Sequence, residues 1–213
     1  MLKAGVLVGP LFVGVSVILA FATSGFDLTK HEVSLLLVGN LGWLQMVNFI
    51  VTGLLGILCA FGLRRALKPG RASTWGPILL GVYGVVLIVA GLFHPDPMLG
   101  FPAGAPVGIP ASPTAHANIH SLAFSLLALA IVANGFVFAR RYFATQRAWA
   151  VYGIVNSVAI VILVALGSTL MPTGYGGLPL LGVAIAISFW VSATATRTLL
   201  DLRATSTRKV GPA

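Results

Sequence analysis

Two histidines stand four residues apart in the run His116-Ala-Asn-Ile-His120. In an α-helix, residues i and i+4 lie on the same face, so both rings would project from one side of one turn. Neutral imidazoles in this arrangement can share a metal ion such as zinc or haem iron. The run lacks the glutamate of HExxH, which excludes a zincin metalloprotease. His116 and His120 are therefore candidate metal ligands, with zinc as the candidate cofactor.

The segment before this pair carries two more groups that can bind metals or protons, His94 and Asp96. They open a stretch, residues 94–115, that holds six of the twelve prolines of the chain. Proline fixes φ and has no backbone N–H, so the stretch predicts an ordered, extended loop that covers the end of a bundle. The alternative is that the histidines only cap and hydrogen-bond this loop onto the bundle.

A second polar stripe begins with Gln45 and Asn48 and continues through Thr52 to Cys59. At helical periodicity these side chains lie within about 60° of one another. Together with the histidine pair they outline a polar cavity that opens at one end of the bundle. The residues predicted to bind a ligand there are Gln45, Asn48, His94, Asp96, His116 and His120.

The composition shows which kind of scaffold positions these residues. The chain has 213 residues, of which 58% are hydrophobic and only 8% charged, and its mean hydropathy is +1.01. Soluble domains are about 25% charged, so the sequence predicts an all-α integral membrane protein. Apolar runs predict six transmembrane helices, at residues 4–22, 40–63, 74–93, 116–139, 149–168 and 178–199. Residues 1–202 would form one six-helix domain, and residues 203–213 a disordered cytoplasmic tail.

The basic residues predict the orientation of these spans. The chain has 13 Lys and Arg against 4 Asp and Glu. With six spans, all of the basic residues except Lys30 fall on one side of the membrane. The positive-inside rule then places both termini in the cytoplasm of a prokaryotic cell and the Pro/Gly-rich loop outside the plasma membrane. The excess charge serves topology and contact with anionic lipid, so nucleic acid is not an expected partner.

Several classes of protein are excluded by what the spans lack. No lysine lies within a span, which excludes a retinal Schiff base, and no mid-membrane acid or lysine marks an ion-coupled transporter. Walker, Rossmann and GxSxG motifs are absent. Small residues such as Gly5, Gly9, Gly53 and Gly84 allow close helix packing, either within the chain or with a second copy or another membrane protein.

Three motifs carry a resemblance to a known family. They are Phe93-His94-Pro95-Asp96-Pro97, Thr114-Ala-His116-x3-His120 and Gly42-Trp43-x-Gln45-x-x-Asn48-Phe49. Over nearly its whole length the chain resembles the bacterial six-helix membrane proteins catalogued as domain of unknown function 998. The resemblance implies six helices and an important outer face, and the family name declares no activity.

The sequence therefore predicts a polytopic membrane protein whose outward-facing pocket binds a small molecule or a lipid head group. One alternative is a metal-dependent membrane enzyme that acts on lipid at the outer interface. Another is a helper subunit whose glycine-rich faces pack against a membrane partner. Both an enzyme and a binding protein fit these residues.

Overall fold

The computed structural model describes residues 1–67, 70 and 72–210, with side chains described as far as Thr205. Lys68 and Arg71, two of the basic residues behind the predicted orientation, lie outside the described residues, as does the end of the predicted tail, residues 211–213.

The described chain folds into six long helices and two short 3₁₀ helices. The long helices are α1 (Leu2–Ala22), α2 (Gly42–Ala66), α3 (Trp75–Leu92), α4 (Ala115–Tyr142), α5 (Arg147–Leu170) and α6 (Gly177–Val210). The 3₁₀ helices are Val33–Val38 and Met171–Thr173. In this part of the chain, six helices are long and apolar enough to cross a membrane, which confirms the predicted fold. Predicted and observed ends agree closely except that α6 continues to Val210, so helical backbone extends into the segment predicted as a tail.

Each helix packs against the next in the chain, and α6 packs against α1. The α1–α2, α3–α4 and α5–α6 connections meet at one end. There the Gly177 amide donates to the Thr29 carbonyl at 3.1 Å, and His31 Nε2 lies 3.2 Å from the Leu99 carbonyl oxygen. We call this the histidine end, because it holds His31, His94, His116 and His120. The opposite end, which carries the α2–α3 and α4–α5 connections, is called the basic end.

Helices α2 and α3 approach each other through two glycines. A Cβ atom added to Gly53 would lie 2.6 Å from the Gly84 carbonyl oxygen, and one added to Gly84 would lie 2.5 Å from that of Gly53. The two backbones are therefore in direct contact, as small residues permit in membrane helices. The predicted packing role of Gly53 and Gly84 is confirmed within the chain; packing against a second copy or another protein stays a prediction.

A buried amide joins three helices nearer the basic end. Asn134 Nδ2 donates to the Gly76 carbonyl at 2.8 Å, and Asn134 Oδ1 accepts from Trp190 Nε1 at 2.9 Å. These bonds matter because a bilayer offers no water to replace them. The α4 residues one or two turns apart on this face are all buried: Ala123, Leu127, Ala130 and Asn134. This face of α4 therefore packs into the bundle.

Candidate functional site

A cavity of about 60 Å³ lies inside the bundle. It is bounded by α1, α2, α3, α4, α6 and the 3₁₀ helix Val33–Val38. Its walls are largely aliphatic and aromatic, and they include Phe12, Phe49, Leu87, Phe124, Leu127 and Val183. The polar residues of the lining are Glu32, Ser34, Tyr83, His120 and Ser188. We call this space the bundle cavity.

The bundle cavity is elongated along the helices. On α3 its lining extends from Ala90 to Tyr83, and on α6 from Leu180 to Ser188. At a rise of 1.5 Å per residue these stretches measure about 10 and 12 Å. Ala90 and Leu180 are near the histidine end, whereas Tyr83 and Ser188 lie deeper. The cavity therefore runs from the histidine end toward the middle of the bundle.

His120 marks the outer part of this cavity. The side chain is buried, and its Nδ1 lies 2.8 Å from the Ala90 carbonyl oxygen and 2.7 Å from that of Phe93. Carbonyl oxygens only accept hydrogen bonds, so Nδ1 carries the proton and donates to both. These carbonyls are at the carboxyl end of α3, where intrahelical donors are missing. In the neutral ring Nε2 keeps its lone pair, and it is the nitrogen left for a ligand.

Tyr83 marks the inner part. Its side chain is 1% exposed. Its hydroxyl lies near that of Ser188, but among the described residues no partner meets the distance and angle of a hydrogen bond. Ser188 supplies a second hydroxyl to the same part of the lining. A buried polar group without a partner costs about 1–3 kcal/mol. The inner end of the cavity therefore favours a molecule that brings a hydrogen-bonding group to Tyr83.

Glu32 gives the outer part of the cavity its charge. It precedes the 3₁₀ helix as its N-cap residue and is half-buried. Among the described residues that line the cavity, none is a lysine or an arginine. A carboxylate without a neighbouring cation in the lining favours neutral or cationic ligands and disfavours anions.

The first connection and the Pro-rich loop are held together beside the cavity. His31 is buried; its Nδ1 accepts from the Asp27 amide at 3.0 Å, and its Nε2–H donates to the Leu99 carbonyl at 3.2 Å. Phe101 packs on His31 at 5.3 Å and edge-on against Phe26 at 5.2 Å between ring centroids. Both ring nitrogens of His31 are thus used in joining the two loops, a role that its position beside Glu32 in the sequence did not reveal.

The predicted residues His94, Asp96 and His116 meet at the base of the Pro-rich loop. The His94 and His116 rings lie 4.9 Å apart at 31°, and His116 also contacts Phe93. Asp96 accepts from the Thr114 amide at 2.8 Å and from its hydroxyl at 2.6 Å. The Thr114 hydroxyl bond, with the amide bond, holds the pKa of the Asp96 carboxyl below its usual value. These contacts join the beginning of the loop to the start of α4.

His116 and His120 share a helix face but have different partners. The His116 side chain is exposed and packs on His94, whereas His120 is buried against the end of α3. In the part of the chain that the structure describes, no group of three or more His, Cys, Asp or Glu side chains is placed to hold a metal ion. The zinc site at His116 and His120 stays a prediction.

Gln45 and Asn48 are placed together between α1 and α2. Gln45 Nε2 donates to Ser16 Oγ at 2.9 Å and to the Val33 carbonyl at 3.1 Å. Asn48 Nδ2 donates to the Phe12 carbonyl at 3.1 Å. Val33 and Phe12 line the bundle cavity, whereas neither amide is among the described lining residues. The two amides thus support one wall of the cavity.

The structure therefore distributes the six predicted residues over three places: the α1–α2 network, the loop base and, for His120, the bundle cavity. Sequence reasoning missed Glu32, Tyr83 and Ser188 as cavity residues. Glu32 had a signal in its position next to His31. No feature of the sequence indicated Tyr83, because a tyrosine in an apolar helix can face either lipid or another helix.

No curated protein and no solved structure matches the chain. One family does match, the one described as "Protein of unknown function (DUF998)", over residues 6–197. Because this match covers most of the chain, including all six membrane-spanning helices in whole or in large part, the chain belongs to the DUF998 family.

Proposed function

We propose that this protein binds a slender, largely apolar molecule in the bundle cavity, with a hydrogen-bonding group at each end of the molecule. The single observation that carries the proposal is the Tyr83 hydroxyl, which is buried without a partner in the lining of an apolar cavity. A ligand group at this position would restore the missing hydrogen bond.

The second recognition point is His120. Its Nδ1–H is used by the α3 carbonyls, so its Nε2 accepts a hydrogen bond from the outer end of the ligand. Along α3, Tyr83 lies about 10 Å from Ala90, whose carbonyl oxygen contacts His120. The rest of the lining is largely apolar, and each methylene buried against it contributes about 0.8 kcal/mol.

The charge of the lining selects the polar groups of the ligand. With Glu32 present and no lysine or arginine among the described lining residues, a carboxylate or phosphate at the outer end is disfavoured. Hydroxyl or amine groups donate to His120 Nε2 and to the Glu32 carboxylate. The ligand class is therefore neutral or cationic: a slender alcohol, diol or amine.

On this proposal the histidine end faces outward from the prokaryotic plasma membrane, and both termini are cytoplasmic. The support is the distribution of charge along the sequence: with six spans, all of the 13 Lys and Arg except Lys30 fall on one side of the membrane. A reporter fused to the carboxyl terminus is expected to be active only on the cytoplasmic side. Activity only on the outer side would overturn this orientation.

The binding proposal is tested by filling the cavity. Ala184 lines the cavity, so Ala184→Phe places a ring in the space that the ligand would occupy. Ala186→Phe, on the same helix but outside the described lining, is the matched control. Protein is purified in native lipid particles and its apolar compounds are identified by mass spectrometry. We expect a neutral or cationic compound that is retained by the wild type and the control and lost in Ala184→Phe. Equal retention in all three, or none in any, would overturn the proposal.

A further inference from the structure

A groove of about 500 Å³ lies at the basic end of the bundle, away from the histidine end. It is formed by the beginning of α1, the end of α2 and the last part of α6. Apolar side chains, Leu2, Leu199 and Leu202, line it together with two cations, Lys3 and Arg65.

The groove exists because Gly62 lets α1 approach α2. A Cβ atom added to Gly62 would lie 2.8 Å from the Leu2 backbone nitrogen. This contact brings the first turn of α1 against the last turns of α2, so that Lys3 and Arg65 are in the lining of the same groove. Both of these side chains are exposed.

The charge of the groove is not balanced by a neighbouring acid. Among the described lining residues none is acidic, and the hydrogen bond of Arg65 Nη1 goes to the thioether sulfur of Met1 at 3.3 Å. Asp201, nearby on α6, instead accepts from Arg197 at 2.7 Å and from the Tyr142 hydroxyl. On the helix it lies about 130° away from the direction of Leu199 and Leu202.

We infer that this groove is a binding site for an anionic phospholipid. The phosphate would lie between Lys3 and Arg65, where guanidinium and ammonium groups offer charge-assisted hydrogen bonds. The glycerol and the beginning of an acyl chain would lie against Leu199 and Leu202 on α6. Leucines beside a pair of cations match a lipid more closely than a free anion, because a soluble anion gains nothing from the leucines. The site is independent of the bundle cavity.

The test compares two lipids that differ only in head group, phosphatidylglycerol and phosphatidylcholine with identical acyl chains. Binding of each to the full chain in detergent is measured by native mass spectrometry. Wild type should prefer phosphatidylglycerol, and Lys3→Gln with Arg65→Gln should reduce that preference by about fivefold for each charge removed. Preference for phosphatidylglycerol unchanged in this double variant would overturn the inference.

The matched control removes the same charge from the same end of the bundle. Arg140 and Arg147 are exposed residues at the α4–α5 connection, outside the described lining of the groove. Arg140→Gln with Arg147→Gln should keep the wild-type preference, because it leaves the groove intact. An equal loss in the control would show general attraction to anionic lipid rather than a site. Displacement of the lipid by excess inorganic phosphate would show a free-anion site, and this too would overturn the inference.

Discussion

The Nδ1 atom of His120 lies 2.7 Å from the carbonyl oxygen of Phe93. This bond ties α4 to the end of α3, and it also fixes which nitrogen of the ring carries the proton. The same side chain therefore stabilises the bundle through one nitrogen and also lines the cavity. The structural and the binding interpretation of this histidine are compatible, and they can be separated by substitution.

The loss of stability on replacing His120 should depend on whether the new side chain has an N–H group near the position of Nδ1. His120→Ala removes the donor to the Ala90 and Phe93 carbonyls and should destabilise the protein by about 1–3 kcal/mol. His120→Asn places an amide N–H near the same carbonyls, so it should keep most of the stability while it lacks Nε2. Thermal unfolding measures the first effect and binding of 1,8-octanediol the second. Equal destabilisation by Asn and Ala would contradict the assigned bond geometry.

Tyr83→Phe should weaken ligand binding without lowering the stability of the protein. The hydroxyl has no partner among the described residues, so its removal should leave the ligand-free protein as stable as the wild type, or more stable by about 1 kcal/mol. Binding of 1,8-octanediol should weaken about five- to tenfold, because one hydrogen bond is lost. Binding of 1-octanol, which has one hydroxyl for two recognition points, should weaken less. A clear loss of stability in Tyr83→Phe would show that the hydroxyl is already bonded within the protein.

The helices could be predicted from the sequence because the bilayer imposes long uncharged runs. The placement of the site residues could not. Spacing i, i+4 puts His116 and His120 on one face, but it does not reveal that one ring is exposed and the other buried. Likewise Gln45 and Asn48 share a face of α2, and only the packing of α1 against that face turns both amides toward Ser16 and the Phe12 carbonyl.

Substitutions at the α2–α3 contact should destabilise the bundle. Gly53→Ala puts a methyl group 2.6 Å from the Gly84 carbonyl oxygen, so the helices must separate, at a cost of about 1–3 kcal/mol. Gly14→Ala is the matched control, since a Cβ atom there meets nothing within 4 Å. Unfolding in detergent, followed by thermal shift, should rank Gly53→Ala well below Gly14→Ala. Equal stability of the two variants would contradict the direct backbone contact.

The contact between Asp96, at the beginning of the Pro-rich loop, and Thr114 should weaken only at acidic pH, where the carboxyl gains a proton. The Thr114 hydrogen bonds lower the pKa of this carboxyl from its ordinary value of 3.8. A lowered pKa means that the bond contributes stability above pH 3.8, which is lost as the pH falls through the lower folded value. In the wild type, amide hydrogen exchange of residues 98–113 should therefore become faster as the pH falls through the lowered pKa of Asp96.

Asp96→Asn removes the carboxylate that accepts from Thr114, so exchange in the same loop should already be raised at neutral pH and should lack this acid transition. Asp27→Asn is the control, because the Asp27 carboxyl also has a lowered pKa, through Thr29, but belongs to the first connection. An acid transition of unchanged size in Asp96→Asn would contradict the assignment.

Ligand binding in the bundle cavity is tested most directly by an experimental structure of protein purified in native lipid particles, at a resolution that separates lipid from water. We predict continuous, elongated density in the cavity, with one end within hydrogen-bond distance of the Tyr83 hydroxyl and the other within that distance of His120 Nε2. A cavity that is empty, or that holds only separate water molecules at these two positions, would contradict the account.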